Sequence, residues 1–192
     1  MGRARLPRPR GGHLTRPRPR GGHLTRPRLR RARRGDGAAA YRVLYDAVHQ
    51  GTSGAYGPEE RAAWAPSPDP VPGWEQRLLA ATTILAEARG RLFGFMTLAP
   101  DGHLEFAYVA PSHMGRGVGS ALHAAVLDAG RDAGLDMLTT EASLVARPFL
   151  ARRGWCETGR QSVIRNGVAL TNFRMERTVG AGLASQGRPA SD

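Results

Sequence analysis

The sequence predicts a single mixed α/β domain, a mostly antiparallel sheet flanked by helices, with disordered tails at both ends. Three observations point there. Short apolar runs bounded by Gly and Pro read as strands, and they alternate with stretches whose apolar residues recur at helical spacing. Arg89-Gly90 and Asn166-Gly167 join neighbouring runs as hairpin turns. Val109–Leu122, VAPSHMGRGVGSAL, carries an apolar strand through three clustered glycines straight into a helix. At 192 residues the chain has room for one domain with a real core.

The elements follow in order. Leu29–Arg33 reads as a short first strand, and Asp36 stands at the N-cap position of a helix over Gly37–His49, where Tyr41, Leu44, Tyr45 and Val48 share one face. Glycines between Gly51 and Gly57 end that helix, and Pro58-Glu59-Glu60 opens a second one through Trp64. The proline-rich stretch Ala65–Gly73 is a loop, followed by a short helical piece, Trp74–Ala80. Thr82–Ala88, Leu92–Leu98 and His103–Ala110 are successive strands, the last two joined through Pro100-Asp101-Gly102. Ser120–Gly130 is an amphipathic helix, Asp136–Ala142 a buried strand, and Ala146–Arg153 a helix closed by Gly154. Gln161–Arg165 and Val168–Met175 form the final hairpin. The expected domain limits are 29–177, with a tail at 1–28 and another at 178–192.

Charge is segregated along the chain. The net charge is +12, yet residues 1–34 hold 13 Arg and no acid, while the remaining 15 Arg face 16 acidic residues. The body is therefore nearly neutral. Pro7–Thr15, PRPRGGHLT, recurs unchanged at Pro17–Thr25, and Pro and Gly at that density preclude helix or strand. Such an arm favours phosphate surfaces through counterion release, although it has no aromatic residue for base stacking. An unaltered repeat is also what a duplicated coding tract leaves. The single Cys156 excludes an internal disulfide and fits a reducing, cytoplasmic setting. Beside Trp155 it reads as a buried core thiol. No apolar run is long enough to span a membrane, and His49, His103, His113 and His123 show no metal-ligand spacing, so no metal site is expected.

The glycine turn carries the chemistry. Gly115, Gly117 and Gly119 let backbone approach a ligand without a Cβ in the way. The helix that starts here leaves N–H groups unpaired and presents positive charge, a seat for a phosphate or diphosphate, with Arg116 as an added cation. A Walker loop is excluded because the chain contains no Lys. The dinucleotide fingerprint fails because Ser120 or Leu122 falls where its last Gly belongs.

On these residues the chain resembles the GCN5-related N-acetyltransferase (GNAT) superfamily. Its Arg/Gln-x-x-Gly-x-Gly/Ala motif falls on Met114, Gly115, Arg116, Gly117, Val118 and Gly119, with Met114 departing at the first position. Tyr108-Val109-Ala110-Pro111 is similar to the family's strand-end Val-x-Pro, and Ala146–Trp155 to its Ala…Phe-Tyr…Gly-Phe segment. Ala47-Val48-His49, Tyr56, Ala63-Trp64-Ala65-Pro66 and Thr171-Asn172-Phe173 resemble the YafP-type bacterial branch. The resemblance implies a GNAT-like fold and transfer of an acetyl group from acetyl-CoA, as co-substrate, to a primary amine within a ternary complex. It places the diphosphate on the amides of Gly115–Ser120, the thioester carbonyl near the backbone N–H at Val109, and a pantetheine contact at Ser143. Ser143 fits equally as a cap for the helix after it.

Acyl transfer needs a neutral amine, and therefore a base. Glu105 is the candidate, since strand alternation puts it on one face with Ala107 and Val109; His103 is a second choice. Many family members carry a Tyr acid after the Phe of the last helix, where this chain has Leu150; Tyr45, Tyr56 and Tyr108 are alternatives. Trp64 and Trp74 are either core or acceptor-pocket residues. The acceptor is a small-molecule amine or a protein Lys, with no membrane partner, and nucleic acid enters only through the N-terminal arm. A homodimer is an open option. The competing functions are a non-catalytic acyl-CoA-binding protein and a nucleic-acid binder using the Arg-rich arm.

Overall fold

The structure, a computed structural model, describes residues 27–180. The readings of the Arg-rich repeat and of the C-terminal tail past residue 180 lie outside these residues. The element order is β1 (Arg28–Arg31), α1 (Gly37–Asp46), α2 (Pro58–Trp64), α3 (Trp74–Leu79), β2 (Thr82–Ala88), β3 (Arg91–Leu98), β4 (Leu104–Val109), α4 (Val118–Asp132), β5 (Met137–Ser143), α5 (Ala146–Ala151), β6 (Cys156–Arg165) and β7 (Val168–Thr178).

The strands fall into two antiparallel groups, β1-β2-β3-β4 and β5-β7-β6. Both predicted hairpins occur, and each has two left-handed residues in its turn. These are Arg89 and Gly90 at φ 52° and 73°, and Asn166 and Gly167 at φ 46° and 81°, the geometry that matches the twist of the flanking strands. Alternation along β2 and β3 sends Leu85 and Phe95 to one face, where they pack with Tyr41 and Leu44 of α1 and with Trp74 and Leu78 of α3. Ile84, Ala86 and Met96 go to the other face, against Leu122 and Val126 of α4. That second core continues through Leu138 and Ala142 of β5 to Phe173 and Met175 of β7, so α4 spans both strand groups. Each buried Leu, Ile, Met or Phe side chain among them contributes about 1.5–3 kcal/mol.

Several boundaries differ from the sequence reading. β1 runs Arg28–Arg31, pinned where Arg30 Nη1 and Nη2 donate to Asp36 at 2.7 and 2.8 Å while its Nε pairs with Glu87 at 2.9 Å. Asp36 does stand at the N-cap of α1, but its carboxylate turns back to Arg30 and to the Arg33 N–H instead of capping the helix. The Arg30 guanidinium holds that carboxyl below its usual range. α1 ends at Asp46 and widens into a π-type turn over Ala47–Gly51. β5 is half-buried, not buried: Leu138, Thr140 and Ala142 face inward while Met137, Thr139 and Glu141 face out. The body also extends past residue 177, because β7 includes Thr178 and Val179 is buried, its N–H donating to Asp136 O at 2.9 Å. Cys156 is exposed at the start of β6, whereas Trp155 is buried, so the expected core thiol is instead on the surface.

Trp155 Nε1 donates to His123 Nε2 at 2.9 Å inside the α4 core. Burial pushes the imidazole down to about 4 from 6.5, with Arg177 and Arg153 adding to the shift. Between those two pH values the unfolded chain binds a proton that the native protein refuses. Stability therefore rises with pH through that window and is lost as pH falls from about 6.5 to about 4, by on the order of 3 kcal/mol. His123→Gln keeps an acceptor for the indole and removes the titration. Thermal melts should show wild type losing more Tm than the variant over that range.

Candidate active site

The site begins where β4 and β5 separate. The two strands run parallel and meet at one bridge, His103–Thr139, where Thr139 N donates to Gly102 O at 3.1 Å. One step further Thr140 Oγ1 donates to Leu104 O at 2.7 Å. Gly102 permits this approach: at φ 88° it is left-handed, and a Cβ there would lie 2.9 Å from Met137 O. Past Leu104 no ladder joins the two strands, and a cleft of about 460 Å³ opens between them. Ala110 N donates to Phe93 O of β3 at 2.8 Å. Strand alternation then turns the N–H and C=O of Val109 toward the parted edge.

The glycine turn closes the far end of this cleft. Gly115 and Gly117 are left-handed at φ 71° and 85°, with open space where a Cβ would sit. Gly117 is the N-cap of α4 and supplies no side-chain cap, and the first paired amide of the helix is Ala121, to Gly117 O at 3.0 Å. The amides of Val118, Gly119 and Ser120 therefore have no partner within the helix. Gly119 is glycine for a packing reason, since a Cβ would lie 3.2 Å from the Phe149 ring. Val118 points its side chain into the core, and Ser120 Oγ accepts from Arg153 Nη2. Met114 lies over Gly51, where a Cβ would lie 2.6 Å from its Cε, so an apolar clamp stands where the family motif has a polar side chain.

Arg116 is exposed and does not line the cleft. The cations on its wall are Arg152 and Arg153, the latter stacked 3.7 Å over the Phe149 ring.

Glu105 is a bulge. Thr97 pairs with Phe106 and Leu98 with Leu104, leaving Glu105 without an opposite residue. The extra residue breaks alternation: Leu104, Ala107 and Val109 pack on the α4 side, Phe106 and Tyr108 on the α3 side. Glu105 follows Phe106, and its Oε1 accepts from Arg77 Nε and Nη2 of α3, with Arg77 stacked over Phe106. The shared face with Ala107 and Val109 is therefore not found. Glu105 nonetheless lines the cleft, together with a second cavity of about 690 Å³ on the α3 side. Trp64, Glu105, Tyr108, Glu141 and Ser143 line both spaces and mark their junction.

The other candidates separate clearly. Ser143 Oγ accepts from Ala146 N at 3.0 Å, so it does cap the following helix while facing the junction. His103 Nδ1 lies 3.1 Å from Thr139 Oγ1 at the closed end. Tyr45 stacks on His49 away from the cleft lining. The Tyr56 hydroxyl donates to Thr171 O at 2.8 Å and accepts from Leu144 N at 2.9 Å, so it ties β7 to the end of β5. Burial pushes the Tyr108 phenol up to about 12. Leu150 is buried against the cleft. Trp74 is core, its indole donating to Gly37 O at 2.9 Å, whereas Trp64 is half-buried at the junction.

Residues 53–177 match the family model described as acetyltransferase (GNAT) domain. The chain belongs to the GNAT family. As a GNAT enzyme it is an acetyl-CoA-dependent N-acetyltransferase. It is 28% identical over 133 residues, 69% of this chain and 83% of the relative, to the uncharacterized N-acetyltransferase YafP of Escherichia coli K12. A GCN5-related N-acetyltransferase from Rhodopseudomonas palustris, also described as a class-II aminotransferase, is 32% identical, with a TM-score of 0.75 over 82% of this chain and 99% of that one. The yncA acetyltransferase of Salmonella typhimurium, solved with acetyl-CoA, shares the fold at 20% identity and a TM-score of 0.58, covering 84% of this chain and 98% of that one.

Sequence reasoning missed Glu141, Arg77, Arg152 and Arg153. Glu141 was within reach, since it lies two positions before Ser143 and so on the same strand face. The phenol of Tyr56 makes two bonds at the site's edge, and Tyr56→Phe should cost about 1–3 kcal/mol. A lowered Tm with acetyl-CoA affinity unchanged in calorimetry is the expected result; a selective loss of kcat at unchanged Tm would mark Tyr56 as the proton donor instead.

Proposed function

We propose direct acetyl transfer to a primary amine in a ternary complex, with the thioester in the cleft between β4 and β5 and the amine entering from the second cavity. The observation that carries this reading is the junction of the two spaces at Glu105, beside a helix start whose amides are unpaired. Acetyl-CoA supplies an activated acetyl group as a thioester. The residues fit it: the amides from Gly115 to Ser120 suit a diphosphate, Arg152 and Arg153 add positive charge, and the open edge of β4 suits the amides of a pantetheine arm. The N–H of Val109 is available to the thioester carbonyl as negative charge grows on its oxygen.

Glu105 is the proposed base. Arg77 occupies its Oε1, and among the described residues no hydrogen bond reaches Oε2, which is left to accept a proton from the incoming ammonium. The neutral nitrogen then forms the N–C bond while the C–S bond breaks, its electron pair leaving on sulfur. Sulfur takes the nitrogen's second proton, and the proton on Glu105 passes to water. With Leu150 in place of a tyrosine, no acid stands at that position. Tyr108 does not replace it by full transfer, because a phenol near 12 is a weaker acid than a thiol of about 8.5.

Calorimetry of acetyl-CoA into the full chain tests the cleft. Saturable binding is expected, and Gly117→Val should weaken it at least about tenfold, since a β-branched side chain is strained at φ 85° and projects toward the ligand. Normal binding by a folded Gly117→Val protein would remove the glycine turn from the site. On an amine found by screening, Glu105→Gln should lower kcat by about 10²–10⁴ with little change in acetyl-CoA affinity; full turnover by that variant would exclude Glu105 as the base.

A further inference from the structure

The second cavity has a charge pattern of its own. Four charged side chains matter. Glu105 and Arg77 neutralise each other. Glu141, on the lining of both spaces, has no ion pair among the described residues; it accepts only from two neutral amides, Gln161 Nε2 at 2.9 Å and Asn172 Nδ2 at 3.4 Å. Arg165 lines the same cavity and has no ion pair among the described residues. Because Asn172 must turn its Nδ2 to the carboxylate, its Oδ1 is left as a buried acceptor without a partner. An exposed carboxylate without an ion pair on the cavity lining, beside a buried orphan acceptor, suits a donor-rich cation.

The walls are aromatic. Tyr56 packs edge-on to Trp64 at 5.4 Å, and Trp64 lies 6.4 Å from Tyr108, with Phe106 behind. Such rings accept an apolar body and favour a neighbouring cation through their π faces. Arg165 stands four residues along β6 from Gln161, the residue that holds Glu141. That is roughly 14 Å of strand. The far end of the chamber is therefore positive.

We infer that the acceptor is a small monoamine with an aromatic or apolar body, whose ammonium is received by Glu141, and that Arg165 discriminates against a second cation at its far end. The inference rests on the reading of this cavity as the amine's entrance. Glu141 binds and aligns the ammonium; Glu105, across the same junction, takes its proton.

The test uses the full chain with phenethylamine and spermidine as probes, following thiol release from acetyl-CoA, alongside calorimetry of acetyl-CoA and of phenethylamine for each protein. Wild type should use phenethylamine with a kcat/KM at least tenfold above that for spermidine. Glu141→Gln should lower kcat/KM for phenethylamine at least tenfold, mainly through KM, with acetyl-CoA affinity unchanged. Arg165→Glu, on an exposed strand end, should narrow or reverse the preference. Equal or greater use of spermidine by wild type, an unchanged KM in Glu141→Gln, or acetyl-CoA binding without any phenethylamine transfer would overturn the inference. Failure of acetyl-CoA to bind would overturn the cleft reading instead. Phenethylamine calorimetry then decides the chamber alone, upheld by binding lost in Glu141→Gln and overturned by no binding in wild type.

Discussion

The separation of β4 from β5 is the constraint on which the rest of this molecule depends. Gly102 allows the two strands to touch at His103–Thr139, and the Thr140 hydroxyl continues the contact for one residue. Beyond that the strands leave each other's backbone groups unpaired. The gap requires that other elements fix both sides. α4 does this, with Leu122 and Val126 in a core that reaches from Met96 on one side to Leu138 and Phe173 on the other. The same helix begins at Gly117 with its own amides unpaired. One helix therefore fixes both walls of the cleft and begins beside it with unpaired amides.

Two departures from the family pattern are absorbed by packing. Where a polar side chain begins the glycine motif in relatives, Met114 folds onto Gly51, tying the motif loop to the π-type turn after α1. Where a tyrosine acid often stands, Leu150 fills the core beneath the cleft.

Legibility in the sequence tracked how local each cause was. The hairpins at Arg89-Gly90 and Asn166-Gly167 are set by residues adjacent in the chain and occur as the residues foretold, whereas the helix after the glycine turn, expected over Ser120–Gly130, runs Val118–Asp132. The bulge at Glu105 is different. It exists because the adjacent pair Thr97-Leu98 of β3 faces the three residues Leu104–Phe106 of β4, a fact about a partner strand that alternation counted along β4 alone does not contain. Cys156 went wrong for a similar reason: its neighbour Trp155 is core, and one step along an emerging strand reverses direction. Arg77 and Arg165 reach the second cavity from α3 and from a hairpin end, elements distant in sequence, so no local pattern joins them to Glu105 or Glu141.

The Tyr56 hydroxyl joins residues 88 and 115 positions away, at Leu144 and Thr171. Contacts across such separations close large loops and are entropically late. The wall between the second cavity and β7 depends on such contacts, with Tyr56 buried against Ala63 and Leu170. In hydrogen-exchange terms, the Leu144 amide reports on the bond that ties the end of β5 to Tyr56 at the rim of the second cavity, separately from the amides of the α4 core.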